Sequence, residues 1–241
     1  MNPNVPFYIT ALLFLIAGIL LFSIFYAMNY ALDKLEIQKQ EKRRALIITA
    51  VLLFGWLILT SVIAFRGTLL DFTSTPPKIL IVVVPAALAV IYISTSARVN
   101  EMIKVIPSGW LVYIQSFRVL MEIFLWLLFL ENIIPRQMTF EGLNYDVLVG
   151  LSAPFIAYYA LTEKKWPRIV AVLWNIAGLL LVTNIFIIAL LSTPSPLRQF
   201  FNEPSNTIIA YFPFVWIPAF IVPFAYLMHV LSIKQITRYN N

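Results

Sequence analysis

The sequence contains no cysteine and only one histidine, and each scarcity excludes a class of functional site. Without cysteine the chain can form no disulfide, no thiolate metal site and no cysteine nucleophile. With His229 as the single histidine, it cannot build a zinc site of several histidines or hold haem between two of them. We therefore expect no metal site and no haem cofactor.

Charged residues are also scarce, at 12% of the chain, whereas soluble domains carry about 25%. Hydrophobic residues make up 61% and fall into blocks separated by short polar loops. About 20 apolar residues span a bilayer as a helix, and the short alternating segments of a β-barrel are absent. The sequence predicts an all-α, polytopic transmembrane helical bundle that forms a single domain over residues 1–241.

The apolar blocks predict seven spans with alternating orientation. The spans are at residues 7–31, 45–65, 78–96, 110–130, 147–162, 169–191 and 208–232. The loops and tail on one side hold 12 lysines and arginines, and those on the other side hold four. By the positive-inside rule, the N-terminus lies outside and the C-terminus lies in the cytoplasm of the plasma (inner) membrane.

The net charge of +6 is then explained by the cytoplasmic loops, so we expect the lipid bilayer and no nucleic acid as partner. The N-terminus has no basic region, and no small-residue cleavage site follows the first span, which is typical of an uncleaved helix. A homo-oligomer is compatible with this composition.

The fourth span, residues 110–130, carries Gln115, Arg118 and Glu122 near its middle. Two central charges cost about as much on insertion, roughly 6 kcal/mol, as the leucine, isoleucine, valine and phenylalanine residues of the span return. The three polar residues lie at positions i, i+3 and i+7, which form one stripe on a helix face. Because lipid cannot solvate the stripe, we expect it to face the bundle interior or a wet cavity.

Two interpretations of the stripe remain open. Arg118 and Glu122 can pair at i,i+4 and neutralise each other, in which case they only fix helix packing. Alternatively, they form a site for a small ion, a proton or an anionic ligand, since intramembrane charges are functional candidates.

The predicted outer loop, residues 131–146, follows the charged span directly. Its polar residues are Glu131, Arg136, Glu141, Asn144 and Asp146. Asp146 starts the next helix, where a carboxylate caps the free N–H groups. The loop is expected either to lie as a hairpin in the membrane interface or to act as a lid or gate over a cavity at Arg118 and Glu122. The spacing of its three acids matches no metal motif.

The segments "QSFRVLME" and "IPRQMTFEGLNYD" resemble a block found in uncharacterised bacterial seven-helix integral membrane proteins of similar length. The resemblance covers residues 115–154, less than a fifth of the chain. It implies no activity. It does imply that the fourth helix, the outer loop and the fifth helix form one unit.

The last predicted span places Pro213, Pro218 and Pro223 five residues apart, so each is expected to kink or break the helix. Broken helices often line transporter sites. His229 lies near the predicted cytoplasmic end, where it is either a proton carrier or a hydrogen-bonded end residue. The interior of this span contains no lysine, which excludes a retinal Schiff base.

These features favour a small transporter or channel-like protein with a polar intramembrane site. A receptor, sensor or assembly subunit that binds a ligand or partner helix is the alternative, and an intramembrane lipid enzyme ranks last. A parallel repeat of three helices on either side of the fourth is compatible with the topology.

Overall fold

The computed structural model describes residues 4–239, which are mostly helical and contain no β-strand. The α-helices are α1 Phe7–Lys34, α2 Lys39–Phe65, α3 Leu80–Thr95, α4 Ala97–Val105, α5 Ser108–Tyr113, α6 Phe117–Leu130, α7 Val147–Ile156, α8 Arg168–Leu191 and α9 Val222–Arg238. A 3-10 turn, Ile114–Ser116, joins α5 to α6. A π-helical turn, Ala157–Thr162, follows α7, and another, Ile217–Ile221, precedes α9.

Five helical stretches are long and apolar enough to cross a membrane: α1, α2, Ser108–Leu130, α8 and Ile217–Arg238. The pair α3 and α4, bent by 64°, would add a sixth. The predicted fifth span corresponds to α7, which has ten residues, and to the π-turn after it, which has six. At about 1.5 Å per residue it is roughly 24 Å long, shorter than the hydrocarbon core of about 30 Å. The chain is thus an all-α protein with several candidate membrane spans.

The predicted last span, residues 208–232, differs from the structure at its start. The chain forms a 3-10 turn at Ile208–Ala210 and irregular turns after it, and helical structure begins at Ile217. Phe212 precedes a proline, and such residues are disfavoured in the α region. Pro213 therefore lies before the helix, and the expectation that it kinks one is wrong.

The other two prolines of this segment do lie in helical structure. Pro218 is in the π-turn Ile217–Ile221, and Pro223 is in the first turn of α9. Pro154 likewise comes shortly before the π-turn at the end of α7. Proline lacks an N–H group and clashes with the preceding turn, and a π-turn is one way in which a helix accommodates this.

The two helical stretches at the centre of the bundle are Ser108–Leu130 and Ile217–Arg238. In each, 56% of the residues in the most apolar 18-residue stretch are buried, compared with 17% in α2. The segment α5–α6 packs against α1, α7 and α9, and α9 also packs against α3 and α8. Side chains on α6 and α9 are therefore the ones that meet in the interior.

Contacts between distant segments define the two ends of the bundle. At one end the Tyr8 hydroxyl donates to Glu131 at 2.7 Å, which joins the start of α1 to the loop after α6. At the other end the Gln235 side-chain amide donates to the backbone oxygen of Ile106 at 2.6 Å, which joins α9 to the loop after α4. The start of α1 and the loop after α6 thus lie at one end of the bundle, and the loop after α4 and the last part of α9 lie at the other end.

Candidate functional site

The Arg118 side chain is buried in the centre of the bundle, with 1% of its surface exposed, and forms an ion pair with Asp146. Its Nε donates to Asp146 Oδ2 at 2.7 Å, and its Nη2 lies 2.6 Å from Oδ1. Of the two interpretations left open by the sequence, the one in which Arg118 and Glu122 neutralise each other is therefore wrong. The partner of Arg118 lies 28 residues further along the chain.

The start of α7 places Asp146 opposite Arg118. Gly150 lies against α6 so closely that an added Cβ would be 2.7 Å from the Val119 backbone nitrogen. Asp146 lies one turn before Gly150, on the same face of the chain. Asp146 occupies the N-cap position of α7, as the sequence suggested, but its carboxylate makes no capping hydrogen bond to the helix. The close packing of α7 on α6 directs this carboxylate to the guanidinium.

Glu122 is also buried, with 2% exposed, and it binds the outer loop. Its Oε1 accepts a hydrogen bond from the Phe140 backbone N–H at 2.7 Å, and its Oε2 accepts one from the Asn144 side-chain amide. Within residues 4–239, no basic side chain forms an ion pair with this carboxyl group. The hydrogen bonds to the Glu122 carboxyl group thus come from neutral N–H groups and not from a cation.

A chain of hydrogen bonds continues from Arg118 into α8 and α9. Arg118 Nη1 lies 2.9 Å from His229 Nε2, and His229 Nδ1 lies 2.9 Å from Asn175 Oδ1. Asn175 Nδ2 then donates to the Ser232 hydroxyl at 3.0 Å. Because a guanidinium can only donate, His229 Nε2 must accept, and the proton of this neutral imidazole lies on Nδ1.

His229 is fully buried beside Arg118 and hydrogen-bonded on both ring nitrogens, and it lies within α9 and not at the end of that helix. A Cβ added to Gly178 of α8 would lie 2.3 Å from His229 Cε1, so the missing side chain makes room for the imidazole. Arg118 and His229 are separated by 111 residues, and the sequence holds no signal that pairs them.

Gln115 takes a structural position next to this network. Its side chain is fully buried, and its Nε2 donates to the Ala225 backbone oxygen at 3.1 Å. Ala225 lies in the first turn of α9. Gln115 therefore ties α5–α6 to α9.

A cavity of about 100 Å³ lies beside the charged groups. Its walls come mainly from aliphatic side chains of α6, α8, the π-turn before α9 and the start of α9. The polar residues that line it are Arg118, Glu122, Asn144 and Asp146. The cavity thus combines an apolar body with one charged end, and Gln115 and His229 do not line it.

The outer loop closes the charged end of this cavity. Met138 lines the cavity, and Asn144 is 1% exposed and bonds Glu122. The loop is compact, since a Cβ on Gly142 would lie 2.4 Å from the Arg136 backbone oxygen. Leu143, in contrast, is 43% exposed. The loop therefore combines features of both expected arrangements: a cover over the cavity and apolar side chains at the surface.

The remaining predicted loop residues lie away from the cavity. Glu131 accepts from Tyr8, Glu141 accepts from the Trp126 indole at 2.7 Å, and the Arg136 Nε lies 4.0 Å from a Glu141 oxygen. The acids of this loop, with Asp146 paired to Arg118, each have a different partner. Among residues 4–239, no three acidic or imidazole side chains form a group that could hold a metal ion.

Comparison with known proteins places the chain in a family. The profile of a domain of unknown function, DUF8737, matches residues 76–237. The chain belongs to this family. The matched region includes Arg118, Glu122, Asp146 and His229, whereas α1 and α2 lie entirely before it. Searches of curated proteins and of solved structures gave no match.

Proposed function

We propose that this protein is a small plasma-membrane transporter that binds its solute in the cavity at Glu122. The observation that carries the proposal is that buried charged groups line an otherwise apolar cavity inside the bundle. Purely structural charges need no adjoining space, because interiors pack densely and leave few voids. Ligand sites, in contrast, are mostly apolar cavities with a few convergent polar groups.

Features of the surrounding chain support a transport cycle. The outer loop is bound to Glu122 through neutral hydrogen bonds, so protonation or ligand binding at this carboxyl group would change how the loop is held. On the other side, the cavity borders the π-turn that contains Pro218. Such turns leave backbone groups without regular partners and are frequent at functional sites. The loop is the proposed outer gate, and this turn is the proposed inner hinge.

The proposed topology keeps seven passes, with the N-terminus outside. The bent pair α3 and α4 forms the third pass, and α7 with its π-turn forms a short fifth pass. The end of the bundle that carries 12 of the lysines and arginines then lies in the cytoplasm. The outer loop and the charged end of the cavity then lie toward the outside.

The proposal can be tested without knowing the solute, because the natural chain has no cysteine. Ala225 lines the cavity, so an Ala225→Cys variant places one thiol there. The variant is reconstituted in vesicles and treated with a small membrane-impermeant thiol reagent from either face. A transporter that alternates its access should expose this thiol to both faces. Labelling from one face only would instead support a receptor or sensor.

Three further single-cysteine variants calibrate the assay. Glu203→Cys and Lys164→Cys lie on exposed loops at opposite ends and should each react from one face only. Leu180→Cys, on an α8 side chain that is 67% exposed, should face lipid and react from neither face. If Ala225→Cys behaves like Leu180→Cys, the cavity is closed to water and the proposed function is wrong.

A further inference from the structure

We propose that the cavity at Glu122 binds a small alkylammonium ion, which displaces a proton from the Glu122 carboxyl group. The inference rests on the proposed solute site and names its ligand class. It does not require that the ligand be carried across the membrane.

The charges at the cavity do not cancel. Arg118 contributes one positive charge, and Asp146 and Glu122 contribute one negative charge each when ionised. The neighbouring His229 is neutral because it accepts from Arg118, and the Tyr226 hydroxyl donates to Thr183 at 2.8 Å. Residues 169–191 of α8 contain no ionisable side chain, and α3 contains only Tyr92. Arg136 of the outer loop contacts Glu141. Among residues 4–239, the negative charge at Glu122 is therefore left without a protein cation.

The guanidinium of Arg118 is already engaged on three nitrogens. Nε and Nη2 contact Asp146, and Nη1 contacts His229. An anionic ligand would have to compete with the Asp146 carboxylate for this group. The structure consequently does not favour the anionic ligand that the sequence left open, and it favours a cation at Glu122.

The Glu122 carboxyl group is held in position for such a ligand. Each oxygen accepts one N–H bond, from Phe140 or Asn144, although a carboxylate offers about four acceptor sites. The aliphatic wall offers no hydrogen bonds, so it suits the methyl or methylene groups of the ligand and not a hydrated metal ion. The volume of about 100 Å³ limits the apolar part to a short chain or a few methyl groups.

The exchange balances in atoms and charge. A buried carboxylate without a cation is costly, so the empty site is neutralised by a proton. When the alkylammonium ion enters, the carboxyl O–H bond breaks, the proton leaves to water and the ligand takes over the positive charge. Within the proposed transporter, this exchange would couple movement of an organic cation to movement of a proton in the opposite direction.

The test uses three probes of nearly equal shape on the purified full-length protein. Tetramethylammonium is the cation, neopentyl alcohol is the neutral analogue and pivalate is the anion. Isothermal titration in two buffers with different heats of ionisation measures both the affinity and the protons released. We expect tetramethylammonium to bind at least tenfold more tightly than either analogue, with release of close to one proton at neutral pH. Equal affinities, tighter binding of pivalate, or cation binding without proton release would overturn the proposal.

Two matched variants assign the effect to Glu122. Glu122→Gln should abolish cation selectivity and proton release, whereas Glu41→Gln, on an exposed position of α2, should bind like the natural protein. If Glu122→Gln does not fold, the three-probe comparison on the natural protein still decides the question. Cation binding with cysteine labelling from one face would refute transport but keep this ligand class. Labelling from both faces without cation selectivity would refute only the ligand class.

Discussion

The ion pair between Arg118 and Asp146 allows a quantitative test of the interior of the bundle. At a charge separation of about 4 Å and an effective dielectric constant near 20, two unit charges attract by about 4 kcal/mol. Removing one partner of a buried pair costs about 3–5 kcal/mol, because the other charge is left uncompensated. Arg118→Gln and Asp146→Asn should therefore each lower the free energy of unfolding by roughly this amount.

The double variant should be little less stable than either single variant, because it leaves no unpaired charge at this position. Unfolding is followed by tryptophan fluorescence during titration of detergent micelles with sodium dodecyl sulfate. Because the two single losses of about 3–5 kcal/mol are then largely one shared cost, we expect a coupling energy of about 3–4 kcal/mol from the double-mutant cycle.

The control is the same cycle for Arg118 and Glu122, with Glu122→Gln as the second change. These residues lie one helical turn apart but do not pair, so their coupling should be about 1 kcal/mol or less. The reasoning is refuted if the Arg118–Asp146 coupling is below about 0.5 kcal/mol, or if the Arg118–Glu122 coupling is the larger of the two.

Two further predictions concern other parts of the fold. Gly178→Ala should lower the free energy of unfolding by about 1–3 kcal/mol, because its Cβ would overlap the His229 ring. Gly18→Ala, where nothing lies within 4 Å, should be neutral or stabilising in thermal unfolding, and equal losses in both variants would contradict this account. A hydrogen bond from Lys78 lowers the pKa of Asp71 to about 2. The contact therefore stabilises the folded loop fully above a pH of about 4, and this stabilisation is lost as the pH falls toward 2. Carbon-13 titration should show the Asp71 pKa rising toward about 3.9 in Lys78→Gln, and an unchanged value would exclude Lys78 as the cause.

Helix positions were readable from the sequence where a long apolar run has no interruption. The structure has α1, α2 and α8 at the predicted places, since a chain in lipid must satisfy its backbone groups within the helix. The same reasoning indicated that Arg118 and Glu122 avoid lipid, and both are buried. Hydrophobicity and hydrogen-bond demand are local properties, so one sequence is enough to apply them.

Helix ends and breaks near prolines were less predictable. Residues 208–216 are as apolar as a membrane span, yet they form turns, and α3 ends in a 64° bend into α4. Proline marks where a regular helix is disfavoured, but the geometry that replaces it depends on the surrounding packing. The sequence alone could not choose between a kink, a π-turn and an irregular segment.

The partners of the site residues could not be predicted, because they come from distant parts of the chain. Spacing suggested Glu122 as the partner of Arg118, whereas helix packing at Gly150 brings in Asp146. His229 arrives from α9. The i,i+4 spacing identifies possible partners on the same helix, but the tertiary structure decides which carboxylate forms the ion pair with Arg118.

The central claim is that Glu122 faces a solute cavity that opens to both sides of the membrane. The most direct test is the rate at which an impermeant thiol reagent labels Ala225→Cys from each face. The account predicts clear labelling from both faces, faster with a cationic reagent than with an anionic reagent of similar size. Labelling from one face only or from neither face, together with normal labelling of the exposed control cysteines, would contradict it.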